Sequence, residues 1–142
     1  MNQSIIYALI SAIFAALVSI FGKVGLSGLN ANVATAVRAI IMAMFLIAVV
    51  IFQGNVDKFS TVLADKKALL FVACSGIAGA MSWLFYFLAL KNGNVSQIAP
   101  IDKLSVVFAV ILAILIFNEK ISLIHGFGIA LIAIGGLILV LF

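Results

Sequence analysis

Charge is the scarcest commodity in this sequence. Four carboxylates and eight Lys or Arg residues carry all of its formal side-chain charge over 142 residues. Soluble globular domains devote about a quarter of their residues to charge. A chain with so little cannot coat a soluble fold, and that class is excluded. Cysteine occurs once, as Cys74, which rules out an intramolecular disulfide and a Cys-rich metal site. The single histidine, His125, has no His or Cys at helical spacing, so a place near the membrane interface outweighs metal ligation. These two residues lie in different apolar runs and pair no nucleophile with a base, so no enzyme and no cofactor are expected. A net charge of +4, spread over the links, gives nucleic acid nothing to bind. No basic residue precedes the first apolar run, unlike a cleaved secretory signal, so that run is expected to stay.

Apolar residues are abundant instead, at 67%. Cutting the chain at its charged and turn-forming clusters leaves five spans, roughly Ile5–Gly22, Val33–Phe52, Ala68–Leu90, Ile98–Phe117 and Ile121–Phe142. Each is close to the ~20 residues that carry an α-helix across ~30 Å of hydrocarbon. The ~10-residue alternation of a membrane barrel is not seen. The expectation is an all-α integral membrane protein with five transmembrane helices, forming a single domain over residues 1–142.

Within the first span, Ser4, Ala8, Ser11, Ala15, Ser19 and Gly22 recur at three- and four-residue spacing on one face. In lipid such a face either packs closely on another helix or lines a cavity. The link Gln53–Lys67 holds Phe59, Val62 and Leu63 at helical spacing among charged residues; a short helix lying on the membrane and a solvated loop both fit. Trp83 and Tyr86, near the end of the third span, either anchor it in the headgroups or line a cavity and stack on a ligand. Pro100 is expected in the first turn of the fourth helix, where its missing N–H is harmless. That placement puts Asp102 near a helix N-terminus, favoured by the macrodipole. Gly126, Gly128, Gly135 and Gly136 mark a tightly packed or dimerising face on the fifth span.

Three charges fall inside spans: Arg38, about five residues (roughly 8 Å) into the second, and Asp102 with Lys103 in the fourth. With alternating crossings they lie at similar depth. A lone ionised side chain at mid-bilayer costs about 2.5–3.5 kcal/mol on insertion scales. Arg38 and Asp102 can pair structurally, and Lys103 can snorkel along its aliphatic stem. Alternatively the three line a watery pocket suited to a zwitterionic or anionic small solute, or Asp102 cycles a proton. The basic loop residues number four on the N-terminal side (Lys58, Lys66, Lys67, Lys120) and two on the other (Lys23, Lys91). Adding Arg38 and Lys103 makes it four to four, a weak orientation signal. A chain with so little bias can insert both ways and pair as an inverted, antiparallel dimer.

The second half carries a recognisable pattern. The segments Tyr86-Phe87-Leu88-Ala89-Leu90-Lys91-Asn92-Gly93 and Ser96-Gln97-Ile98-Ala99-Pro100-Ile101 resemble part of the EamA module of the drug/metabolite transporter superfamily. The corner Phe117-Asn118-Glu119-Lys120 and the glycines after it resemble that module's Gly-Glu corner and Gly-rich last helix, with Asn118 where the family usually has Gly. The resemblance implies a five-helix single module that needs a second copy or a paired homologous subunit, and that exports amino acids or other metabolites. Small multidrug members of the superfamily use a Glu in the first helix for proton-coupled cation exchange; here that helix has none.

The resulting expectation is a multi-pass protein of the cell (plasma or inner) membrane. It moves a small polar or zwitterionic solute by alternating access, working as a dimer in the lipid bilayer. Arg38, Asp102 and Lys103 supply charge to the path, and Trp83 and Tyr86 supply stacking. A channel and a non-transporting assembly or lipid-handling subunit are the alternatives.

Overall fold

A computed structural model describes residues 2–141. Seven helices follow in order: α1 Gln3–Gly25, α2 Ala31–Phe52, α3 Lys58–Ala64, α4 Lys66–Asn92, α5 Val95–Asp102, α6 Leu104–Phe117 and α7 Leu123–Leu141. Helices α5 and α6 are two halves of one span, Val95–Phe117, so five helical stretches are long and apolar enough to cross a membrane. Among the described residues there is no strand. The expected five-helix, all-α membrane protein is the one observed.

Three helices, α2, α4 and α7, start where a side chain provides an acceptor for the orphan N–H groups of a first turn. Asn30 Oδ1 accepts from the N–H groups of Asn32 (3.0 Å) and Val33 (3.3 Å) at the head of α2. Asp65 Oδ1 does the same for Lys67 and Ala68, both at 3.0 Å, at the head of α4. Ser122 Oγ accepts from the N–H of His125 at the head of α7 and lies 3.1 Å from His125 Nδ1, which accounts for the lone imidazole. The segment between α2 and α4 is partly helical: α3 carries Phe59, Val62 and Leu63, all exposed.

The turn after α6 shows why this position favours glycine. Asn118 has φ 52° and ψ 35°, the left-handed conformation, and is the sole non-Gly residue with positive φ among those described. Asn tolerates this geometry better than any β-branched side chain. Asn118→Gly is therefore expected to leave the thermal midpoint of the detergent-solubilised protein unchanged or slightly raised. Asn118→Val is expected to lower stability by about 1–2 kcal/mol.

The chain gathers into two compact units, residues 22–91 in one and the stretches up to Phe21 and from Asn92 onward in the other, with α1 contributing to both. In the unit of residues 22–91, Phe87 and Leu90 of α4 are buried with Leu26 and Ala31. Gly22 lies so close to the Phe87 ring that a Cβ there would overlap Phe87 Cε1. Lys23, at the end of α1, donates from Nζ to the carbonyls of Leu90 (2.6 Å) and Lys91 (3.5 Å). These are among the last carbonyls of α4, where a cation also meets the negative end of the helix dipole. In the other unit α7 packs on both α5 and α6. A Cβ on Gly136 would come within 2.6 Å of Leu104 Cδ2, so this glycine permits the close approach of α7 to α6. Gly128 and Gly135 have open space at the same position.

The fourth span differs from expectation. The helix begins at Val95, with Asn94 as its extended N-cap, so Pro100 is its sixth residue and lies inside it. There the missing N–H leaves the Ser96 carbonyl without its i+4 partner. The helix then breaks at Lys103. The Lys103 N–H reaches the Pro100 carbonyl at 3.1 Å, one residue short of the α-helical partner, and the Val106 N–H reaches Lys103 at 3.0 Å. Tight i→i+3 bonds on both sides of a residue, just after a proline, are an ordinary cause of a helix kink. Asp102 thus ends α5 rather than standing near the head of the span.

Candidate functional site

The small-residue face of α1 does line a cavity. Ala8, Ser11, Ala12, Ala15, Ala16 and Ser19 form one wall of a groove of about 570 Å³. Ala99, Pro100 and Lys103 form the other. All nine residues belong to the unit that contains α5–α7. The α1 wall of the groove is made of alanine and serine side chains alone. The Ser19 hydroxyl, on the buried part of this wall, donates to Ala15 O at 3.1 Å within its own helix.

The opposite wall is the broken part of the fourth span. Irregular backbone at membrane depth is tolerated where it is covered by protein or lines a cavity, and Ala99, Pro100 and Lys103 line this one. Lys103 is the ninth residue of Val95–Phe117, about 12 Å from its start at 1.5 Å per residue. Its Nζ lies 3.4 Å from Asp102 Oδ2, and both side chains remain partly exposed, at 55% and 35%. The pair neutralises itself without being sealed. It combines a cation and an anion at the junction of two helix ends, with the negative end of α5 beside Asp102 and the positive end of α6 beside Lys103. A groove of this size with few polar groups on an apolar wall is the form that small-molecule sites take.

Of the other residues singled out in the sequence, Arg38, Trp83 and Tyr86 belong to the second unit. The structure brings them together on α2 and α4. Arg38 is the eighth residue of α2, about 10 Å from its start, somewhat deeper than the spacing suggested. Its guanidinium carbon sits 3.8 Å from the Trp83 ring centroid and 5.2 Å from that of Phe87. Trp83, Tyr86 and Phe87 form a cluster of rings, Trp83 meeting Tyr86 edge-on at 5.6 Å and Phe87 at 5.6 Å with a 31° tilt. A cation on an aromatic face gains about 0.5–1 kcal/mol when exposed and about 2 when desolvated. That offsets only part of the ~2.5–3.5 kcal/mol that a charge costs in the middle of a bilayer. Two contacts were not visible in the sequence, the Arg38–Trp83 contact and the Lys23 bond to α4. The periodic pattern that marks each span contains no sign of either.

No three of the described His, Cys, Asp or Glu residues lie together where they could hold a metal. Five helical stretches long and apolar enough to cross a membrane, one of them broken at an ion pair beside a groove, define a multi-pass membrane protein. The EamA-like transporter family matches the chain over residues 2–141, and the chain belongs to that family. A Sinorhizobium sp. protein described as "Uncharacterized transporter in cobO 3'region" is 41% identical over 136 residues, covering 96% of this chain and 95% of that protein. No solved structure matches the chain. The protein is a membrane transporter, a class whose members move solutes rather than transform them.

Proposed function

We propose that this transporter exports a small zwitterionic metabolite by alternating access, and that the α1 groove with Asp102 and Lys103 is where the solute binds. The supporting observation is the ion pair at the helix break. Lys103 and the positive end of α6 suit a carboxylate, while Asp102 and the negative end of α5 suit an ammonium group. A solute carrying both charges exchanges one self-neutralised pair for two solute pairs, so no uncompensated charge enters the membrane at any stage. The small wall of α1 then selects by size.

The chain acts as a single module, and in this reading its full path needs a second copy or a homologous subunit in the cell membrane, including the inverted arrangement. Gly128 and Gly135 on α7 offer a surface where a second helix backbone can approach closely. Liposomes holding only this chain and preloaded with one candidate zwitterion should take up labelled solute by counterflow, saturably and only for exchangeable species. Leak that is linear in concentration would mark a pore instead. No flux with any metabolite, at confirmed protein incorporation, would leave a non-transporting membrane subunit as the better description.

A further inference from the structure

We infer that the Arg38–Trp83 stack is an oxyanion site, which takes a carboxylate or phosphate group at the membrane-embedded part of α2 and α4. The inference does not rest on the groove reading. A guanidinium stays charged and offers five N–H donors in one plane with no acceptor. Here Trp83 covers one π-face at 3.8 Å, and Phe87 lies beside it. Stacking uses the face and leaves the donor edge of the fork available, the edge that binds planar oxyanions in a bidentate manner.

The unit to which Arg38 belongs supplies no counter-charge. Its two acids, Asp57 and Asp65, lie in sequence beyond the far end of α2, at Phe52, whereas Arg38 is near the beginning. The helix from Arg38 to Phe52 alone spans about 20 Å at 1.5 Å per residue. Asp65 is moreover engaged in capping α4. A half-buried guanidinium held on rings, with its donor edge unoccupied by any carboxylate of its own unit, is the arrangement in which an external anion gains most, because the medium around it screens poorly. Two sources can present that chemistry, a free metabolite or the phosphate of a lipid headgroup.

Trp83 is the sole tryptophan in the chain, and it lies directly under the guanidinium, so its emission reports on this site alone. The full-length protein would be held in a phosphate-free maltoside detergent and titrated with inorganic phosphate and with acetate. It would then be compared with the protein in the same detergent doped with phosphatidylglycerol. A saturable shift of Trp83 emission with the soluble anions identifies a free oxyanion, and a shift confined to phosphatidylglycerol identifies a lipid phosphate. Either response should be lost in Arg38→Gln and weakened at least tenfold in Arg38→Lys, which keeps the charge without the fork. The proposal is overturned by three results: no shift from any of these anions in the wild-type protein, the same shift in Arg38→Gln, or an emission change in Asp102→Asn alone equal to that of Arg38→Gln. The last would show that a carboxylate of this chain already serves the guanidinium.

Discussion

Lys103→Met is expected to reduce counterflow in liposomes by about thirty-fold or more without unfolding the protein. Truncating one member of a charge contact with a ligand in a poorly hydrated site costs about 2–5 kcal/mol, and each 1.4 kcal/mol is tenfold in affinity. Lys103 lies at the break between α5 and α6 and is partly exposed, so the lower end of that range applies. Lys103→Arg keeps the charge and should retain part of the flux. Asp102→Asn should abolish flux of a zwitterion, because the ammonium group loses its partner while Lys103 stands uncompensated. All three variants should remain monodisperse in detergent, with thermal midpoints near that of the parent, since neighbouring half-exposed charges contribute little to folding. Undiminished exchange in Lys103→Met would remove the break from the transport path. Loss of flux together with loss of fold would be uninformative for the charge variants, and Lys103→Arg is the control that separates the two.

The second large effect concerns folding alone. Gly22→Ala places a methyl group in overlap with the buried ring of Phe87, so the ring or the helix must shift. Overpacking of this kind costs about 1–3 kcal/mol. Gly76→Ala, on α4, meets nothing within 4 Å and should be neutral or stabilising by up to about 1 kcal/mol, the ordinary gain from replacing helical glycine. Measured side by side as thermal midpoints in the same detergent, the two variants should move in opposite directions. Equal shifts would mean that the α1–α4 contact at Gly22 relaxes freely and is not a tight point of the fold.

These expectations differ in how far they were legible in the sequence. The five spans were readable because hydrocarbon thickness imposes one length on every crossing helix, and the charge clusters mark where each stops. The small face of α1 was readable for the same kind of reason: three- and four-residue spacing survives any detail of packing, and it led to the groove wall found in the structure. Pro100 misled because its commonest helical place is the first turn. The helix starts earlier, at Val95 after the extended Asn94, whose side chain makes no capping bond. The partners of Lys23 and Arg38 could not be read, because each is distant in sequence (Leu90 is 67 residues from Lys23) and neither contact leaves a periodic trace. Asn118 stands between these cases. Its resemblance to a glycine position was visible, and the reason for that glycine is a φ of 52°.

The interior of this protein is thin. Leu26, Ala31, Phe87 and Leu90 make up the buried hydrophobic set among the described residues, while most large aliphatic and aromatic side chains face outward. Much of the dispersion energy that a water-soluble domain finds inside itself is here exchanged with acyl chains and with any neighbouring subunit. Cohesion therefore belongs jointly to the polypeptide and the medium around it. A shorter or softer amphiphile takes contacts from this protein much as a truncated core side chain takes them from a soluble one.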